Sequence, residues 1–510
     1  MPELHQSIAQ HYHERTKYDP ETLAGKGQRL DWAKQPVPFK DYKIGSDFDL
    51  KPYIQEKLEA PAKSSDAQWW QRLSQILLRS YGLTARMPSM GSAVYLRSAP
   101  SAGGLYPAEV YVVSRGTPLL PAGLYNYQCR THSLIHYWES DVWQALQAAC
   151  FWHPALESTQ LAIVTTAVFY RSAWRYEDRA YRRIFLDTGH LLGNIELASA
   201  IADYRPHLIG GFVDEAVNDL LYIDPQQEGV TAVLALADLL DIKQNLPIGR
   251  TALPSATETS YPQIPDGELL KYFHQHTQIQ PGTTGKLNLP AVKQEKSLED
   301  KYNFPFCLKI PTTTTPIDWG ENLSELEITM HKRRSTRAYS GEDLTFDELK
   351  ALLDFTYQPR NYIDQNLDSS PDYFDLNLIE TFIAVSGVNG LDSGCYYYAP
   401  KAQELRQIRF KNFRRELHFL CLGQELGRDA AAVLFHTADL KSAIAQYGDR
   451  VYRYLHMDAG HLGQRLNLAA IHLNLGVSGI GGFFDDQVNE VLGIPADEAV
   501  LYITTLGRPR

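Results

Sequence analysis

The chain has 510 residues, 44% hydrophobic and 21% charged, which supplies ample core for globular folding. Its 49 basic and 60 acidic residues give a net charge of −11, which argues against general binding to nucleic acid or an anionic membrane, where a basic face is required. No apolar run approaches a membrane span, residues 1–6 lack a basic and then apolar leader, and the five cysteines contain no C-x-x-C, so a reduced cytoplasmic protein without a cysteine-built metal site is expected.

Residues 1–60 read as a polar arm spotted with aromatics, and His11-Tyr12-His13 within it reads as a surface feature. A first half, residues 61–241, opens with an amphipathic helix carrying Trp69, Trp70, Leu73, Ile76, Leu77 and Tyr81, capped near Ser65. Strands are expected at 109–114 and 161–169, a long helix at about 181–203, then the turn Gly210-Gly211-Phe212, a short helix and a strand near 231–236. Residues 242–320 fade into prolines (Pro247, Pro254, Pro262, Pro265, Pro281, Pro290) and read as a connector with one short helix at about 268–274. His274-Gln275-His276 there also reads as surface. The second half, residues 321–510, has a capping box at Thr345-x-x-Glu348, strands at 380–386 and 431–437, and a second long helix at about 452–475. Strands and long helices with few βαβ spacings predict an α+β fold.

The two halves are copies. Residues 176–223 and 447–494 align without a gap at a displacement of 271, and 20 of the 48 pairs are identical. Average residue usage would give only about three. The shared skeleton is Y-x-D-R-x-Y-R, D-x-G-H-L, I-G-G-F-x-D and V-N-x-x-L-x-I, so the chain is expected to be a fused pseudo-dimer whose function lies where the copies differ.

They differ in two places. Lys332-Arg333-Arg334-Ser335-Thr336-Arg337 precedes the second copy's capping box and makes a compact anion clamp, since guanidinium forks and a hydroxyl satisfy phosphate oxygens. Arg508 and Arg510, after the last strand, are placed to close on the same anion. The first copy has Leu58, Glu59, Ala60, Pro61, Ala62 and Lys63 before its helix, and its final strand ends in Leu239-Leu240-Asp241. In return it alone has Pro100-Ser101-Ala102-Gly103-Gly104, small residues that let backbone approach a flat ligand. The second copy has Asp372-Tyr373-Phe374-Asp375 there. One complete site and one ruined site are expected. Asp187/His190 and Asp458/His461 lack a third ligand for a metal and are expected to fix the interface between the halves.

In combination, the clamp, the small-residue loop, the Asp-x-Gly-His helix, the Gly-Gly-Phe turn and the terminal Gly-Arg-Pro resemble the nitroreductase-like flavoproteins. Residues 12–17, Leu30-Asp31-Trp32 and 100–107 look like the SagB/ThcOx-type dehydrogenase branch. The resemblance implies a tandem nitroreductase-like fold with one FMN per chain and hydride transfer through flavin N5. Arg333, Arg334, Ser335, Arg337 and Arg508 would hold its phosphate. Ile480, Gly481 and Gly482 would present backbone N–H near N5, and Pro100, Ser101, Ala102 and Gly103 would cover the ring from the other half. NAD(P)H is the candidate electron donor, and a small molecule or peptide the substrate. Azoline-oxidising members carry a Lys-Tyr pair where this chain has Arg175-Tyr176 and Gln446-Tyr447, leaving Tyr176 and Tyr447 as candidate catalytic residues. Arginine cannot replace lysine as a general base. The alternatives are an azoline or peptide dehydrogenase and a catalytically silent scaffold in a modification complex. Further homodimer formation is left open.

Overall fold

A computed structural model of the chain describes residues 6–25, 30–54, 65–88, 93–240, 249–282 and 299–510. The expectations at residues 58–63, Asp241, Pro247 and Pro290 lie outside the described residues.

Two seven-stranded sheets organise the chain. The first contains β1 (Ser46–Asp49), β2 (Ala108–Ser114), β3 (Gly123–Gln128), β4 (Ser133–Trp138), β5 (Leu161–Val168), β6 (Tyr204–Ile209) and β7 (Glu228–Asp238), in the order β1-β4-β3-β2-β5-β7-β6. The second contains β8 (Lys309–Pro311), β9 (Glu380–Val385), β10 (Gly394–Ala399), β11 (Glu404–Arg409), β12 (Ala432–Asp439), β13 (Gly476–Ile480) and β14 (Glu498–Gly507). Its order is β8-β11-β10-β9-β12-β14-β13, the first order with every label raised by seven. All neighbours within both sheets are antiparallel, so the fold is α+β with two equivalent halves.

The helices follow the same doubling. In chain order they include α1 (Ile8–Arg15), α2 (Ser65–Tyr81), α3 (Phe169–Tyr176), α4 (Ala180–Ile201), α5 (Leu269–His276), α6 (Ser324–Lys332), α7 (Phe346–Tyr357), α8 (Leu440–Tyr447) and α9 (Val451–His472). The predicted capping box holds, with Thr345 and Glu348 bonded reciprocally on α7, and α2 has Ser65 as its first residue. The long helices α4 and α9 pack on each other, and every residue of 180–199 and 451–470 is buried. They cross at the glycines of the two Asp-x-Gly-His motifs. A Cβ on Gly189 would overlap Met457 O and lie 2.9 Å from the Gly460 Cα, while one on Gly460 would overlap Leu186 O. Only glycine permits that approach.

The repeat reaches further than its sequence suggests. At a displacement of 261, α1 falls on α5, Thr16 on Thr277, Tyr18 on Ile279 and Lys40 on Lys301. Each pair has the same partners in opposite copies. Arg182 Nη2 donates to His13 O at 2.6 Å and Arg453 Nη2 to His274 O at 2.9 Å. Lys40 pairs with Glu228 at 2.6 Å and Lys301 with Glu498 at 2.5 Å. The arm and much of the connector are therefore equivalent leading segments, each adding a helix and an edge strand to its copy. Pro311 is tolerated in β8 because that strand is an edge.

This arrangement corrects the reading of the histidine clusters as surface features: Tyr12, His13 and His274 are buried. Tyr12 stacks on Phe273 at 4.4 Å and meets Tyr181 and Tyr452 edge-on, so α1 and α5 pack together against the two long helices. Burial holds the His13 and His274 imidazoles well below the ordinary histidine value.

Candidate functional site

The clamp segment leaves α6 at Arg333 and docks along the edge strand β13. Thr336 N donates to Val477 O at 2.8 Å, and Val477 N returns a bond to Thr336 Oγ1 at 2.9 Å. The exit of β14 runs alongside, with Ser340 N bonded to Arg508 O at 2.9 Å and Arg510 N to Ala338 O at 3.1 Å. Arg333 reaches into the first half: its Nε donates to Ser98 O and its Nη2 to Arg97 O, the latter at 3.1 Å. Its Nη1 is buried with no partner among the described residues. Burial, with Arg334 and Arg337 adding repulsion, pulls the Arg333 guanidinium down to about 10.

The other clamp residues divide into two groups. Ser335 is half-buried and Arg337 exposed, and neither side chain bonds to a described residue. Arg334 gives its Nη1 to His331 O and Arg333 O and its Nη2 to Thr84 O at 2.8 Å. Arg508 is held two-pronged by Glu348, at 2.8 and 2.9 Å, the same carboxylate that caps α7. Three donors thus stand without an acceptor among the described residues: one buried guanidinium N–H, a hydroxyl and a free guanidinium. Their positive charge and unmet donors fit a phosphate.

The small-residue loop is fixed by Asp187 of α4. Ser101 Oγ donates to Asp187 Oδ2 at 2.6 Å, Ala102 N donates to Oδ1 at 3.1 Å, and Tyr106 N donates to Ser101 Oγ at 2.9 Å. Burial pushes the Asp187 carboxyl up to about 7 against those hydrogen bonds. Pro100, Ser101 and Ala102 are half-buried, whereas Gly103 and Gly104 are exposed at φ of +66° and +67°. In the other copy Asp458 accepts from Phe374 N at 3.0 Å and Asp375 N at 2.9 Å, and burial pushes it up to about 8. The histidines of the two motifs do span the halves, His190 meeting Gln464 and Tyr502 and His461 meeting Glu196.

The Gly481-Gly482 turn follows β13 past the buried Ile480, and neither glycine N–H has an acceptor among the described residues. A Cβ on Gly481 would lie 3.3 Å from Arg183 Nη1 of the first half. The Arg183 guanidinium lies 3.6 Å from the centre of the Tyr176 ring, and the Tyr176 hydroxyl would be 2.7 Å from a Cβ on Gly103. Loop, turn and clamp are thus joined: Arg183 and Tyr176 bridge the first two, and Arg333 binds the clamp to the base of the loop.

The equivalent place around Gly210-Gly211 is filled. Gly210 N donates to Thr251 O at 2.7 Å, and Gly210 O accepts from Arg450 and from the Tyr454 hydroxyl at 3.0 Å. A Cβ on Gly210 would run into the Phe374 ring and one on Gly211 into Leu253. Phe374 stacks on Tyr454 at 4.6 Å. Tyr447 stands at this filled place, its hydroxyl donating to Asp375 at 3.0 Å, so only Tyr176 of the two candidate tyrosines adjoins the small-residue loop.

Two features escaped the sequence reading. Arg183 aligns with Tyr454, the first break in the shared Y-R-R and Y-R-Y run, and that mismatch was the available signal. The Leu253 plug comes from the proline-rich region, where no pattern marks it. Among the described residues no group of three metal-ligating side chains occurs, and no helix is long and apolar enough to cross a membrane. A groove of about 880 Å³, lined by Lys17, Arg409 and Asp439 among others, includes none of the clamp, loop or turn residues.

The nitroreductase family model matches the chain twice, at residues 72–237 and 330–508. A protein described as a nitroreductase from Anabaena variabilis, of known crystal structure, is 83% identical, with 99% of this chain and 100% of that one covered and a TM-score of 0.94. A protein described as a nitroreductase from Methanocaldococcus jannaschii is 32% identical over 184 residues, 36% of this chain and 91% of that protein. The trifolitoxin-processing proteins TfxF and TfxB of Rhizobium leguminosarum bv. trifolii are 27% and 34% identical, each over 26% of this chain. The matches span 43% of TfxF and 37% of TfxB.

Proposed function

Because the chain belongs to the nitroreductase family through both of its halves, we propose that it is an FMN-dependent oxidoreductase with a single composite flavin site. The observation that carries this reading is the asymmetry of two equivalent places. One keeps, among the described residues, an unpaired buried Arg333 N–H, an unbonded Ser335 and Arg337 and unengaged Gly481 and Gly482 N–H groups, while the other is filled by Phe374, Leu253 and Tyr454.

In this reading Arg333, Ser335 and Arg337 hold the ribityl phosphate, with Arg508 and Glu348 fixing the β14 exit beside them and Arg334 steadying the clamp on Thr84. Gly481 and Gly482, led in by Ile480, orient the ring edge, and Pro100, Ser101, Ala102 and Gly103 cover one face and exclude water. Bound FMN supplies two-electron transfer at N5. Tyr176 stands where its hydroxyl can hand a proton to a ligand beside Gly103. The electron donor in this proposal is the substrate or NAD(P)H.

A second reading is a peptide or azoline dehydrogenase working in a modification complex. The position of Tyr176 against Gly103 favours it, as do the trifolitoxin-processing relatives. Turnover of a methyl-thiazoline peptide by the flavin-loaded protein would establish this reading, and turnover of NAD(P)H alone would not.

The deciding experiment is the flavin content of natively purified protein. One FMN per chain is expected, and neither zero nor two is compatible with the proposal. Arg337→Ala should weaken FMN binding by about tenfold or more, the loss of one charge-assisted hydrogen bond, without lowering the Tm of the flavin-free protein. Unchanged FMN affinity in that variant would remove Arg337 from the clamp.

A further inference from the structure

Six buried arginines lie on, or lead directly into, the two long helices: Arg179, Arg182, Arg183, Arg450, Arg453 and Arg465. Five are ion-paired. Arg179 and Arg182 share Asp485, Arg450 and Arg453 share Asp214, and Arg465 takes Glu196, at 2.6 to 2.9 Å. Arg183 has no such partner among the described residues. It is 7% exposed, its Nε is buried without a hydrogen bond, and none of its nitrogens meets an acceptor among the described residues. Asp187, one helical turn on, gives its carboxylate to Ser101 and Ala102 instead.

Asp187 feels the Arg183 charge but commits its hydrogen bonds to the loop. A nearly buried cation with no ion-paired or hydrogen-bonded anion among the described residues is costly, and the other five arginines avoid it. The exception falls at the open site. Tyr176 lies under the guanidinium and holds it flat. Its Nη1 and Nη2 border the Gly481-Gly482 turn, 3.3 and 3.6 Å from where side chains on those glycines would begin. In the filled place the equivalent residue is Tyr454, neutral and bonded to Gly210 O and Leu253 O. At the filled turn the guanidinium that reaches Gly210 O belongs to Arg450 and is paired with Asp214, whereas at the Gly481-Gly482 turn Arg183 has no ion-pair partner among the described residues.

We propose that Arg183 is the substrate-recognition residue of the open site and that it takes a carboxylate, so that the substrate is an organic acid or a peptide presenting one. The planar fork matches a carboxylate in a two-pronged pair. Phosphate recognition belongs to the clamp. This proposal rests on the flavin reading only for the chemistry that follows binding.

Isothermal titration calorimetry with benzoate and with benzamide tests it, using the protein as purified and its flavin content measured in the same sample. Benzoate should bind about tenfold or more tighter than benzamide. Arg183→Gln should erase that preference and Arg183→Lys should keep part of it, with flavin content unchanged in both. Absence of benzoate binding, equal affinities for the two probes in the unmodified protein, or benzoate affinity unchanged in Arg183→Gln would each overturn it. Flavin lost from Arg183→Gln with benzoate binding intact would overturn it too, assigning the guanidinium to the cofactor. Arg183-dependent benzoate binding by a protein that holds no flavin would leave it standing and overturn the flavin reading instead.

Discussion

The Asp-x-Gly-His motif occurs twice, and each of its residues has a separate task. The glycines let α4 and α9 cross with their backbones nearly touching, the histidines bond into the opposite half, and the aspartates hold the backbone of their own half's loop. A methyl group at Gly189 has to move the Met457 carbonyl, which is backbone in the middle of a helix. Gly189→Ala and Gly460→Ala should therefore each cost about 1–3 kcal/mol or more, seen as a lower calorimetric Tm. The aspartates give a pH signature. Burial raises Asp458 to about 8 in the folded chain. A carboxyl raised on folding contributes stability that is complete below its unfolded pKa and is lost as pH rises through the folded value. Asp458→Asn does not titrate, so its destabilisation relative to the unmodified protein should shrink between about pH 4 and pH 8. A cost that grew over that range, measured by urea unfolding at each pH, would contradict the burial argument.

At the scale of elements, the filled place is closed by short pieces of chain remote in sequence. Thr251 and Leu253 come from the segment after the first half, and Phe374 comes from the loop Asp458 holds. Phe374→Ala should cost about 3–5 kcal/mol, the usual range for emptying a buried aromatic site, and should leave the flavin count per chain unchanged. A rise toward two flavins would mean that the plug alone had suppressed a second site. The difference between the open and filled places was half legible in sequence. Arg333, Ser335, Arg337 and the run from Pro100 to Gly104 stand out because their residue types are rare in combination and adjacent in the chain. The plug was not legible, because Leu253 is an ordinary leucine whose meaning comes from a contact. The burial of α1 was hidden for a similar reason. His11, His13, Glu14 and Arg15 make the helix look polar, and at the 261 displacement only His13/His274 and Thr16/Thr277 are identical from residue 8 through residue 16. The long helices, the capping box and the central strands were legible because their periodicity is local.

At the scale of the whole molecule, a symmetric frame carries an asymmetric site. Arg179 and Arg182 of the first copy close on Asp485, and Arg450 and Arg453 of the second close on Asp214, at distances that agree within 0.2 Å. Each aspartate also receives a backbone N–H from the leading segment of the opposite copy, Tyr18 for Asp485 and Ile279 for Asp214. Burial opposes ionisation of Asp485, but its two arginines outweigh that and hold its carboxyl below the usual range. Removing either carboxylate leaves two guanidinium groups buried without an anion, at about 3–5 kcal/mol. On stability alone Asp485→Asn and Asp214→Asn should therefore look alike. They differ in what lies next to them. Asp485 anchors the end of the open Gly481-Gly482 turn, and Asp214 anchors the end of the plugged Gly210-Gly211 turn. At a temperature where both variants stay folded, Asp485→Asn should lose FMN faster than the unmodified protein, while Asp214→Asn should hold it equally well. Equal flavin loss from both would mean that the cofactor responds to global stability and not to the turn beside it. Unequal loss in the stated direction would assign the functional difference between the copies to loops and turns, with the ion-paired frame common to both.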